Sequence, residues 1–315
     1  MEKFERGLSG VQYPIEYKNG SGVIFTACIA SIGSSLREYK ADGVDITVPY
    51  RLSEFTPVFS GIVLFPWPNR LEDGKYTFEG KEIQAPINHP EENNNLHSLS
   101  ENHEFQLVDY QENAVTLSLR LPHSRFYPFD IGVEITYELG ETGLEVSIKV
   151  ENLGKTRAPF GLGWHPCFAY GGSREDAVLE MSAKTHIAVC DRNLPLEKVP
   201  VEICSGGKFD FRKPSALKDL QIDDAFVHFE NVNDEHQVIL HRPDGKKTTV
   251  WSDLHYGAWQ ICTIDSIGED KNQGIFIEPC TCYANAFKTG DHLIVFEPKG
   301  ESGSTLECTW GVRFE

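Results

Sequence analysis

Residues 131–150 read IGVEITYELGETGLEVSIKV, and this stretch decides the fold. Ile131, Val133, Ile135, Tyr137 and Leu139 occupy every second position, the period of a strand with one buried face. Gly140-Glu141-Thr142-Gly143 interrupts the run, and Leu144, Val146, Ile148 and Val150 resume it. Two alternating runs about a short glycine-bounded turn predict an antiparallel hairpin. The same rhythm recurs at Val115, Leu117 and Leu119, and at the C-terminus in Leu306, Cys308, Trp310, Val312 and Phe314. Val227 to Phe229 and Val238 to Leu240 read as two further strands joined through Asn231-Val232-Asn233-Asp234, with another turn at Pro243-Asp244-Gly245. Helical periodicity is nearly absent. Only Pro214 to Leu220 suggests a turn or two of helix, with Ser215 as its cap. The expectation is one all-β domain over 1–315, a large antiparallel sandwich or barrel with very little helix.

Composition narrows the function. The 315 residues carry 29 Lys+Arg against 47 Asp+Glu, a formal charge of −18, and 40% are apolar. That apolar share suits a globular protein, so disorder is not expected. The negative surplus repels phosphate backbones and anionic headgroups, which argues against nucleic acid or a membrane surface as partner. Met1 to Arg6 is too polar for a secretory leader, and the apolar-rich run Gly22 to Gly33 is too short to span a bilayer. Eight scattered cysteines, with no Cys-x-x-Cys pair, read as reduced core thiols of a cytoplasmic protein, not as a structural zinc site. The sequon Asn19-Gly20-Ser21 points the other way.

Four segments carry polar residues that a plain strand does not need. Phe65-Pro66-Trp67-Pro68-Asn69-Arg70 stiffens the backbone ahead of Arg70, before a hairpin expected to turn at Asp73-Gly74. Asn93-Asn94-Asn95-Leu96-His97 is a structured turn that ends by presenting His97. Gly161-Leu162-Gly163-Trp164-His165-Pro166 sets one histidine in an apolar wall, where the proline denies it a helical backbone. Ile275-Phe276-Ile277-Glu278-Pro279 places a carboxylate after three apolar strand residues, where an ion needs partners. Taken singly, each has a structural reading: a loop salt bridge for Arg70, a solvated His97, a hydrogen-bonded core His165, a buried ion pair for Glu278. They form a site only if the fold unites positions 68 and 113 residues apart.

In order and spacing these segments, together with Gly33, Gly74 and Ile222-Asp223-Asp224-Ala225-Phe226, resemble the aldose 1-epimerases (galactose mutarotases) over nearly the whole chain. The resemblance implies an antiparallel β-supersandwich. By matching position it implies His165 as general acid, Glu278 as general base and His97 as a second active-site histidine. Arg70, with Asn69 in the same element, and Asp223 would bind the sugar. Asp223 is preferred to Asp224 because it stands three residues before the aromatic Phe226. Two stretches depart from the family pattern: His97-Ser98-Leu99-Ser100, and Cys280-Thr281-Cys282-Tyr283 after Glu278.

The expected activity is interconversion of the α and β anomers of a free aldose, such as galactose, by acid–base ring opening, with Glu278 ionised and His165 protonated. Trp164 or Trp67 would offer an apolar face to the sugar. No metal or organic cofactor is required. A metal held by His97, His165 and Glu278 lacks the usual short ligand spacing. The partner is a monosaccharide, and the chain is a monomer or a homodimer. The alternatives are a hexose-6-phosphate mutarotase, disfavoured by the acids at 101 and 104 and the lack of Arg in Ser98 to Glu104, and a non-catalytic sugar-binding module. A glycoside hydrolase would need a second well-placed acid.

Overall fold

The computed structural model describes residues 4–98, 102–264, 266–267, 270–271 and 273–315, with backbone alone for 266–267 and 270–271. Leu99, Ser100 and Glu101 therefore lie outside the described residues. About 50% of the chain is strand and 5% helix. The 131–150 hairpin forms as its alternation predicts: Ile131–Gly140 pairs with Gly143–Asn152 in register from Ile131↔Asn152 to Gly140↔Gly143. Ala114–Arg120 flanks it on one side and the C-terminal strand Thr305–Phe314 on the other, all antiparallel. This sheet continues through Lys247–Ser252, His236–His241 and Val178–Met181 to a short edge at Ser215–Ala216.

A second sheet holds the candidate site. Its path runs Pro195–Pro200, Thr185–Val189, Asp223–Val227, Ala258–Thr263, Gly274–Cys280, Gly163–Trp164 and Val63–Leu64, and Cys167–Ala169 also pairs with Gly274–Cys280. Gly274–Cys280 is buried at every position, which explains its nearly unbroken apolar sequence. The two sheets meet over a core in which the Trp164 ring stacks on Trp310, with centroids 5.3 Å apart and 19° between planes. A third sheet, Arg6–Gly7 through Val44–Asp45, packs on the same core.

Three local expectations are corrected. Ser215 does not cap a helix: Ser215–Ala216 pairs with Val178–Leu179 as an edge strand. The strand expected at Val227–Phe229 is Asp223–Val227, and His228, at φ 59°, ends it. It pairs with Ala258–Thr263 in the second sheet, whereas His236–His241 belongs to the first, so the two do not form a hairpin. Asp73-Gly74 does turn, with φ of 56° and 62°. The flanking strands take different partners, however: Arg70–Glu72 pairs with Asn94–Leu96, and Lys75–Phe78 with Lys81–Gln84.

Candidate active site

Strand parity assembles the site. Asp223 lies opposite Cys262, Gln260 opposite Glu278, and Gly163 opposite Cys280. Cross-strand partners share a face, so Asp223, Gln260 and Glu278 project to the same side of the second sheet. His165 follows the short Gly163–Trp164 strand and is fixed by two backbone bonds, its N–H to the Ile62 carbonyl (3.0 Å) and its carbonyl from the Gly61 N–H (2.7 Å). Its Nε2 lies 3.4 Å from Glu278 Oε1. The fold thus closes a sequence gap of 113 residues into one buried pair, with His165 8% and Glu278 2% exposed.

His97 stands beside this pair, its ring edge-on to His165 with centroids 5.0 Å apart. Asn69 is the bracket that holds it. The Asn69 N–H donates to His97 Nδ1 (3.0 Å), and the His97 N–H donates back to the Asn69 carbonyl (2.9 Å). Accepting at Nδ1 requires that nitrogen to be unprotonated, which leaves Nε2–H as the donor of a neutral ring. The geometry needs left-handed backbone at Asn69 (φ 59°), His97 (φ 53°) and Ser98 (φ 55°), a conformation asparagine tolerates better than most residues.

The Asn69 side chain accepts from the Arg70 N–H (2.9 Å) and from Arg70 Nη1 (3.2 Å). Arg70 Nη2 lies 3.4 Å from Asp223 Oδ2, while Gln260 Nε2 donates to Asp223 Oδ1 at 2.7 Å. Arg70, Asp223 and Gln260 line one concavity with Asn193 and Tyr283. Asp224, one residue along the strand, points to the opposite face, where its Oδ1 lies 3.3 Å from His186 Nε2. Asp223 is therefore the aspartate on the His165–Glu278 side.

The tryptophans do not serve as expected. Trp164 is fully buried, stacked on Trp310, with its Nε1–H donated to the Gly61 carbonyl at 3.2 Å. Neighbouring strand residues face opposite ways, so a Trp164 in the core is the corollary of a His165 in the site. Trp67 is also buried, its Nε1–H bonded to Asn95 Oδ1. The aromatic walls of the site are instead Phe276, 4.4 Å from His165 between centroids, and Phe59, 4.8 Å from His97 and 6.2 Å from His165. The sequence reading did not single out Phe59, Phe276, Gln260 or Glu92. Gln260, a polar side chain in the middle of the mostly apolar strand Ala258–Thr263, was the one signal available. Glu104 is turned to Arg6 and Ser31, so it says nothing about charge at the site.

Burial sets the protonation. It pushes the Glu278 carboxyl well above the usual carboxylate range, Asp223 adding to the effect and Arg70 opposing it. It pushes the His165 imidazole down to about 3. Burial likewise holds His97 well below the ordinary histidine value, helped by His165 and Arg70. Both shifts favour the uncharged form of the pair, with the proton on Glu278 and His165 neutral. The expectation of an ionised Glu278 and a protonated His165 has the same proton count with the proton on the other partner. The low local dielectric favours the uncharged arrangement.

Comparison with known proteins agrees with this architecture. The aldose 1-epimerase family model matches residues 15–307. The chain is 30% identical over 277 residues, 87% of its length, to the uncharacterised protein YihR of Escherichia coli (strain K12), covering 86% of that protein. Among solved structures, a galactose mutarotase-like protein from Clostridium acetobutylicum superposes with a TM-score of 0.80 at 19% identity, over 96% of this chain and 98% of that one. The galactose 1-epimerase of Lactobacillus acidophilus NCFM does so with a TM-score of 0.77 at 18% identity, over 96% and 98%. With its family model matched along almost its whole length, the chain belongs to the aldose 1-epimerase family.

Proposed function

We propose that this protein is a mutarotase that interconverts the α and β anomers of a free, uncharged aldose such as glucose or galactose, with His165 and Glu278 moving the protons. The observation that carries the reading is the 3.4 Å approach of His165 Nε2 to Glu278 Oε1 on the sheet face that also carries Gln260 and Asp223. Opening the ring requires a proton taken from the C1 hydroxyl and another given to the ring oxygen. With the shared proton on His165, Glu278 accepts the first and His165 donates the second. The pair is then left as protonated Glu278 and neutral His165. Rotation about C1–C2 turns the other face of the aldehyde to the ring hydroxyl. His165 takes back the ring-hydroxyl proton, and Glu278 returns its own to O1. The uncharged form favoured by burial is thus the form that serves the open-chain intermediate, and sugar binding must supply the cost of shifting the proton to His165.

The polar row fits hydroxyl groups. Asp223 accepts, Gln260 donates and accepts, His97 donates through Nε2, and Arg70 donates. An uncharged substrate is favoured because Arg70 already lies between two carboxylates, Glu92 at 2.6 Å and Asp223 at 3.4 Å. A phosphate would have to compete with both. The test is polarimetry of freshly dissolved α-glucose and α-galactose, with glucose 6-phosphate in parallel. Acceleration of the neutral sugars is the expected result. Acceleration confined to the phosphate would make the protein a sugar-phosphate mutarotase. Saturable sugar binding without acceleration would make it a binding module.

A further inference from the structure

Arg70 does not hold its position unaided. Glu92, 22 residues on and in the turn before Asn94–Leu96, takes its guanidinium side-on, with Nε to Oε2 at 2.6 Å and Nη2 to Oε1 at 3.2 Å. With Nη2 also at Asp223 and Nη1 at Asn69, four of the five guanidinium N–H groups have assigned partners among the described residues. The fifth, on Nη1, remains for a substrate hydroxyl. Glu92 is itself latched from another part of the chain. Asn193 Nδ2 donates to Glu92 Oε1 at 2.6 Å, and the adjacent Arg192 Nε donates to the Glu92 carbonyl at 2.7 Å. The Arg70 pair keeps the Glu92 carboxyl below the usual carboxylate range, so it is ionised whenever the site works.

We propose that Glu92, latched by Asn193, is a positioning residue that fixes the Arg70 fork and keeps Arg70 from closing fully on Asp223, so that Asp223 remains free to accept a sugar hydroxyl. The inference rests on the mutarotase reading of the same site. Without the Glu92 charge, Asp223 is the remaining carboxylate within reach of Arg70, and a tightened Arg70–Asp223 pair would consume the acceptor the sugar needs. The defect would therefore lie in binding and not in proton transfer.

The experiment compares wild type with Glu92→Gln, Glu92→Asp and Asn193→Ala by polarimetric kcat and KM, with thermal melting in parallel. The expected result is a KM raised about tenfold or more in Glu92→Gln with kcat within about threefold of wild type. Glu92→Asp should recover part of the loss, and Asn193→Ala should raise KM by a few fold. Should Glu92→Gln fail to fold, the Asn193→Ala and Glu92→Asp kinetics decide the matter. An unchanged KM in the folded variants overturns the inference, as does a loss confined to kcat in step with a lower melting temperature. If wild type itself accelerates no aldose, the mutarotase reading has failed instead.

Discussion

Replacing Glu278 by Gln tests the site at its most deeply buried ionisable residue. Glu278 is 2% exposed, and burial pushes its carboxyl toward the protonated form, which the amide matches in charge and nearly in shape. Folding should survive, and the variant should be at least as stable as wild type at neutral pH, because the amide does not bear the cost of burying a carboxyl that the unfolded chain would ionise. Activity should not survive, because the amide cannot take the O1 proton. A placed base contributes about 10²–10⁴-fold, or about 2.7–5.4 kcal/mol of barrier at 1.36 kcal/mol per decade. A carboxyl whose folded pKa is raised binds its proton more tightly in the native state. Wild-type stability therefore falls as pH rises from the unfolded carboxylate value toward the raised one. Glu278→Gln removes that slope, so the variant should gain on wild type in melting temperature as pH rises above the ordinary carboxylate value. Polarimetry and melting curves at several pH values read both effects. A variant within threefold of wild-type rate refutes the base assignment, and a variant that loses ground to wild type as pH rises refutes the burial argument.

Two further outcomes are expected. Asp223→Ala should raise KM at least tenfold, whereas Asp224→Ala should leave kcat and KM within about threefold; initial rates distinguish them, and equal kinetic defects would contradict the face assignment. Because burial drives His165 down to about 3 and Glu278 up, the one-proton state of the pair extends to either side of the window set by ordinary carboxyl and imidazole values. The pH profile of kcat/KM should accordingly be broader on both sides than a bell set by ordinary carboxyl and imidazole values, and a bell with limbs near 4.5 and 6.5 would show that the pair titrates as if exposed.

The 131–150 hairpin was legible because its two strands bury one face each and alternation reports burial directly. Alternation does not report which sheet a strand joins, which is why Asp223–Val227 and His236–His241 were read as neighbours. The edge strand at Ser215–Ala216 is two residues long, too short for any period to show, and the spacing of Ala216 and Leu220 imitates a helical turn. In the site, His97, His165, Arg70 and Glu278 stood out as polar residues in contexts that strands and turns do not require. Trp164 was misread although the rule that corrects it, opposite facing of adjacent strand residues, needs no structure. Glu92 and Asn193 had no such signal. Glu92 meets Arg70 from a turn 22 residues away, and Asn193 meets Glu92 from 101 residues away, so their role exists only in those contacts.

The central claim is that His165 and Glu278 act as one proton-carrying unit. A double-mutant cycle of His165→Asn and Glu278→Gln, followed by polarimetric rate on the preferred neutral aldose, measures it directly. If the two share one proton circuit, the double variant will be no slower, within about threefold, than the slower single variant. Losses that multiply, or a single variant that keeps near-wild-type rate, would contradict the claim.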